Sequence, residues 1–172
     1  MLIGDLPNSK ELIDLQKCLK KRSIVPNYVW DVLSGMPKDS HPMAMFNTAI
    51  LSMQKESKFA KAYDLVVSKG DYWESTLEDG LNIIAKLPAI GAAIYRLRFN
   101  KGKRLEPGDS LDWSENFLQM MGSDYSEDML KMMQLYLMLH CDHEGGNVST
   151  FSALTVNSCL LYTSPSPRDI SR

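Results

Sequence analysis

The sequence predicts an all-α fold, multi-helical and without a sheet, on three observations. Apolar residues recur at three- and four-residue steps through almost every segment. No stretch alternates apolar and polar residues at period two. Capping residues and helix breakers punctuate the chain at helix-length intervals.

The first helix begins at Asn8 or Ser9, where Asn8 and Glu11 make a capping-box pattern and Leu12, Leu15 and Leu19 share one face. It ends near Arg22, with Lys20, Lys21 and Arg22 complementing its dipole. Pro26 suits the first turn of a second helix through Tyr28, Val29, Val32 and Leu33, which Gly35 and Pro37 stop. A third runs from about Pro42 to Lys55, with Met43, Phe46, Ala49, Ile50 and Met53 on a broad apolar face. Phe59, Tyr63, Val66 and Val67 mark a fourth. Gly70 breaks it, and Asp71 with Glu74 patterns a second capping box.

Residues 72–99 read as one long helix kinked near Pro88, whose missing N–H removes a backbone hydrogen bond. Ala89, Gly91, Ala92 and Ala93 then form a small-residue seam that admits a neighbouring helix. Residues 100–110, with Gly102, Pro107 and Gly108 among charges, predict an exposed, mobile loop. A short helix follows over Asp112 to Met121. Ser126 caps an amphipathic helix with Met129, Met133, Tyr136 and Leu137 on one side, reaching His140. The eleven methionines, at helical spacing, read as core filling.

A net charge of -2 and the lack of any long like-charge block create no field that recruits nucleic acid or an acidic membrane. Cys18, Cys141 and Cys159 are too few and too irregular for a disulfide framework, and no run of eighteen apolar residues occurs. The expectation is therefore no nucleic acid and no membrane as partners.

The polar run His140, Cys141, Asp142, His143, Glu144 precedes Gly145, Gly146 and Asn147, after an apolar helix and before a new one. The two glycines let the backbone turn sharply, and Asn147 can cap a helix through Val148, Ser149, Phe151 and Leu154. A helix N-terminus offers free amides and a positive dipole end, which suits a carboxylate. With His143 beside it, this is a candidate pocket for a small dicarboxylic acid. A metal is the rival reading, because all five residues are ligand types. Their spacing is poor for it, the only other histidine is His41, and no metal site is expected.

The segment LHCDHEGGNVS is similar to the citrate synthase segment around an oxaloacetate-binding histidine. DLPNSKEL, HPMAMF, AKAY, DYWE, IAKLP, LDWSENF and DHEGGNVS also follow that family's order and intervals over residues 1–158. The double glycine resembles the mitochondrial, dimeric branch. The resemblance implies a partial large helical domain of an acyltransferase that condenses acetyl-CoA with oxaloacetate and water to citrate and CoA. It implies oxaloacetate contacts at His143 and Asn147, and a CoA-phosphate contact at Lys69, where a solvated lysine is the alternative. The aspartate that takes the methyl proton and the histidine that stabilises the enol are expected downstream, so no acid/base residue is assigned here. Acetyl-CoA is a co-substrate, and no permanent cofactor is implied.

The resemblance further implies a homodimer through residues 41–55 and 72–99 and a mitochondrial matrix location, with no transit peptide in this stretch. The alternatives are a 2-methylcitrate synthase fragment and a helical interaction module without catalysis. From Cys159 the chain reads CLLYTSPSPRDISR, where helical periodicity stops. This string resembles a translated sequencing-library adapter. Residues 159–172 are accordingly expected to be a non-native, disordered tail, and the chain alone is expected to be inactive.

Overall fold

The computed structural model describes residues 5–65, 67–108, 112–141, 147–149 and 151–153, with Lys69 described in its backbone only. Among them every regular element is helical. The chain divides into two compact units, Met1–Leu130 and Lys131–Arg172. The expected tail at 159–172 lies outside the described residues.

In the first unit, α1 (Ser9–Arg22) opens with the predicted capping box. Glu11 N–H donates to Asn8 Oδ1 at 3.0 Å, and Asn8 N–H donates to Glu11 Oε2 at 2.9 Å. Helix α2 (Asn27–Gly35) starts one residue after Pro26, which therefore occupies the cap position rather than the first turn. Helix α3 (Pro42–Ser52) tightens into a 3-10 turn, Met53–Glu56, before the predicted end at Lys55. Val25, Val29 and Leu33 meet Met45, Ala49 and Met53 and, from the long helix, Ile90 and Ile94 in one buried cluster. Each large side chain in it contributes roughly 1.5–3 kcal/mol of transfer free energy.

Helix α4 (Lys58–Asp64) stops before Val66 and Val67, shorter than expected. Val66 itself lies outside the described residues. A 3-10 turn, Lys69–Asp71, then runs directly into α5 (Tyr72–Arg98). The second capping box does not form. Asp71 sits at φ -99°, ψ 0°, inside helical space, and its side chain accepts no cap hydrogen bond. An N-cap oxygen reaches the first turn from extended backbone, which the preceding 3-10 turn forbids here.

Two carboxylates on α5 gather the neighbouring helix ends. Glu78 receives a two-pronged contact from Arg22, Nη1 at 2.9 Å and Nη2 at 3.0 Å, and a third from Lys58 Nζ at 2.9 Å. Arg22 Nη1 also donates to Asn82 Oδ1 at 2.9 Å. The basic end of α1 is thus more than a dipole complement. Asp79 accepts from Ser57 Oγ at 2.6 Å, Lys58 N–H at 2.8 Å and Phe59 N–H at 3.0 Å, capping α4 from another helix.

Helix α5 continues through Pro88 for 27 residues. Proline has no N–H to offer the carbonyl four residues back. That carbonyl, Ile84 O, instead accepts from the Trp113 indole at 3.1 Å. Trp113 opens α6 (Trp113–Met121), capped by Asp112 Oδ1 accepting from Glu115 N–H at 2.7 Å. The small-residue seam receives α6, since a Cβ on Gly91 would lie 3.4 Å from the Phe117 ring. Ala92 and Ala93 are buried within the chain itself.

The loop 100–108 is exposed as predicted but tethered. Arg96 donates from Nε to Lys103 O at 2.7 Å, from Nη1 to Met121 O at 3.1 Å and from Nη2 to Lys101 O. Gly122, at φ +76°, ends α6 where a side chain would run into that guanidinium. Arg104 lies 4.5 Å over the Trp30 ring, and Gly108 N–H donates to Asn116 Oδ1 at 2.7 Å. The methionines do not behave as one class. Met45, Met53 and Met120 are buried, whereas Met43, Met132 and Met138 are exposed.

Hydrogen bonds from Arg22 and then Lys58 hold the Glu78 carboxyl down to about 2, against an ordinary 4.5. A depressed folded-state pKa adds stability that is complete above the ordinary value and is lost as pH falls through the folded one. Acid unfolding followed by circular dichroism should therefore steepen between about pH 4.5 and 2. Glu78→Gln should lower stability at neutral pH and flatten that interval, and an identical acid slope in the variant would refute the assignment. High salt should shrink the difference, because the pair is partly exposed.

The burial of Ala92 also sets what a bulky replacement reads. Ala92→Trp should lower the stability of the single chain by ~1–3 kcal/mol through overpacking. Denaturant unfolding at low protein concentration measures this, and an unchanged midpoint would mean the seam is open.

Candidate functional site

The second unit carries the polar run that the sequence singles out. It is reached through α7 (Glu127–Leu139), whose first turn is held by Ser126, with Met129 N–H donating to Ser126 Oγ at 3.2 Å. The serine cap and the end at His140 match the pattern. Met133 and Leu137 are half-buried, but Tyr136, expected on the same side, is exposed together with Met132, Leu135, Met138 and Leu139.

Helix α7 ends on a doubly used carbonyl. Tyr136 O accepts from His140 N–H at 3.2 Å and pairs with His140 Nδ1 at 2.8 Å. A carbonyl only accepts, so Nδ1 carries the proton, and in the neutral ring Nε2 is the acceptor nitrogen. The imidazole also stacks on the Tyr136 ring at 4.2 Å between centroids and 28° between planes. Cys141 N–H donates to Met138 O at 3.3 Å, and the Cys141 thiol is exposed and unbridged.

The chain is described again at Asn147. Its Oδ1 accepts from Ser149 N–H at 2.9 Å and its backbone carbonyl from Phe151 N–H at 2.8 Å. Asn147 therefore caps the next helical turn, as its sequence position suggests. The cap uses one lone pair of Oδ1, and the Nδ2 amide of the same side chain is a donor. A donor beside a helix N-terminus suits an anionic oxygen.

His143 lies within 142–146, outside the described residues, as do Asp142 and Glu144 of the metal alternative. Among the described residues no group of three or more His, Cys, Asp or Glu could hold a metal. Lys69 belongs to the 3-10 turn before α5, with its backbone alone described. No helix among the described residues is long and apolar enough to cross a membrane.

The pattern reading missed side chains that act across long sequence distances: Glu78 and Asp79, the indole of Trp113 and the guanidinium of Arg96. Only Trp113 had a local signal, because a proline in a helix leaves one carbonyl in want of a donor.

The citrate synthase C-terminal domain family matches residues 1–164. The chain belongs to the citrate synthase family. It is 44% identical over 160 residues to the peroxisomal citrate synthase of Saccharomyces cerevisiae, covering 93% of this chain and 35% of that protein. The mitochondrial enzyme of the same yeast is 42% identical with 33% of its length covered. The chain thus spans about a third of the relatives it matches. The citrate synthase of Pyrobaculum aerophilum superposes with a TM-score of 0.80 at 30% identity, over 92% of this chain and 40% of that one. That of Thermoplasma acidophilum, solved with carboxymethyl coenzyme A and oxaloacetate, gives 0.73 at 26%, over 92% and 39%. The family's all-α fold agrees with the helices found here.

The cap at Asn147 is testable by itself. Asn147→Ala should speed amide exchange at Ser149 and Phe151, with a lost cap worth ~0.5–2 kcal/mol. Unchanged exchange would show that the side chain does not hold the turn.

Proposed function

We propose that this chain is part of an enzyme that condenses acetyl-CoA with oxaloacetate and water to give citrate and CoA. The observation that carries this reading is the family match over residues 1–164. It is supported by the Thermoplasma relative, solved with oxaloacetate and a coenzyme A derivative. In this reaction the acetyl methyl loses a proton to a carboxylate base, and the resulting enol attacks the ketone carbon of oxaloacetate. The ketone oxygen takes up a proton, and water then cleaves the thioester, releasing CoA.

In this reading His143 hydrogen-bonds oxaloacetate and polarises it, and the Asn147 amide donates to one of its oxygens. The Nδ2 donor of Asn147 supports that role, as does the helix N-terminus beside it. Lys69 contacts a CoA phosphate. Two copies pair through residues 41–55 and 72–99, a reading supported by exposed Met43 and Leu51 on α3 and exposed Trp73 and Leu77 on α5. The location is the mitochondrial matrix, by analogy with relatives such as the mitochondrial yeast enzyme, although the similar peroxisomal enzyme shows that family alone does not fix it. Residues 159–172 take no part in the site.

A hydrogen bond to a charged substrate group contributes ~1.5–3 kcal/mol. In a full-length enzyme carrying this sequence, His143→Ala should lower kcat/KM for oxaloacetate roughly ten- to a hundredfold. The 172-residue chain alone should release no thiol from acetyl-CoA and oxaloacetate. Full activity of the variant would remove His143 from the site, and turnover by the short chain would overturn the division of the machinery.

A further inference from the structure

We propose that the concavity beside the last turn of α5 is a binding site for a diphosphate group, carried by a nucleotide or by inorganic pyrophosphate. It lies wholly in the first unit and takes nothing from the acyl-transfer reading above.

The concavity measures about 340 Å³ and is lined by Lys38, Arg96, Leu97, Asn100, Gly102 and Lys103, three of them cations and none of them acidic. Lys38 and Lys103 are exposed, and among the described residues neither is ion-paired. Glu106, the carboxylate on the same loop, is taken by Arg104 at 2.7 Å. Cations that converge on a hollow without a counter-charge raise the local positive potential, which an anion relieves. The Arg96 guanidinium is already oriented by its bonds to the Lys103, Met121 and Lys101 carbonyls, which use three of its five N–H groups. The backbone bears on the same hollow. Asn100 and Gly102 both take left-handed conformations, at φ 51° and 85°, on either side of Lys101, whose N–H donates to Arg96 O at 2.9 Å. A chain that steps in and out of that region curls successive N–H groups round a common centre, the geometry of an anion-binding nest. An ammonium meets phosphate as a point charge and a guanidinium as a fork. A hollow of this volume falls at the low end of small-molecule sites. Two linked phosphates bring enough charge and length to face both lysines and the guanidinium at once, which a single carboxylate does not.

Titration of the nitrogen-15-labelled 172-residue chain with inorganic pyrophosphate tests the site directly. The amides of Asn100, Gly102 and Lys103 should shift and saturate, with half-saturation at roughly 1 mM or below. Added salt should weaken the binding, because the lysines are exposed. Citrate, an anion of similar charge without phosphorus, should bind at least about tenfold more weakly to the same chain. Replacing both exposed lysines, Lys38→Ala with Lys103→Ala, removes no core contact and should raise the half-saturating pyrophosphate concentration at least about tenfold. ADP separates the two sources: tighter binding than pyrophosphate assigns the site to a nucleotide, and weaker binding assigns it to the inorganic ion. Shifts that do not saturate or that miss residues 100–103, equal affinity for citrate, or unchanged binding in the double variant would each overturn the proposal. The first two outcomes are read on the parent chain and do not depend on how the variant folds.

Discussion

The first unit leans on α5, and α5 in turn depends on a carbonyl that its own proline strands. Pro88 denies Ile84 O its usual donor, and the Trp113 indole supplies one from α6. The helix runs unbroken from Tyr72 to Arg98, and its two halves serve different neighbours. The N-terminal half presents Glu78, Asp79 and Asn82 to the ends of α1 and α4. The C-terminal half presents Ile90 and Ile94 to α2 and α3, and Gly91 to α6.

This division explains why small residues follow the proline. A helix that must admit α6 closely while filling a core on another side alternates minimal and branched side chains, as Gly91, Ala92 and Ala93 do with Ile90 and Ile94. The Arg96 guanidinium then fastens the loop and the end of α6 to the last turns of α5 through three carbonyls. A stretch that composition marks as mobile is thereby drawn onto the helix pair.

The second unit solves a different problem, presenting polar groups at helix ends. Its two described ends are secured by the ring of His140 and the carboxamide of Asn147. Helix ends suit this use because their orphan backbone groups and dipoles are already oriented towards a ligand. Exposed Leu135, Met138 and Leu139 on α7 mark an apolar face wider than the buried stripe that its spacing suggests.

The sequence by itself determined the fold class, the start of α1 at Asn8, the stop at Gly35, the serine cap of α7 and the Asn147 cap. Those features depend on contacts within three or four residues, which spacing alone records. It also carried the family, because seven ordered motifs leave little room for coincidence. Only the tertiary structure decided which group would serve the carbonyl that Pro88 strands, that Asp71 would not cap, that Asp79 would help cap α4, and that Ala92 belongs to the chain's own interior. Each outcome depends on which group another element brings within about 3 Å, and partners 20 to 60 residues apart leave no period in a sequence.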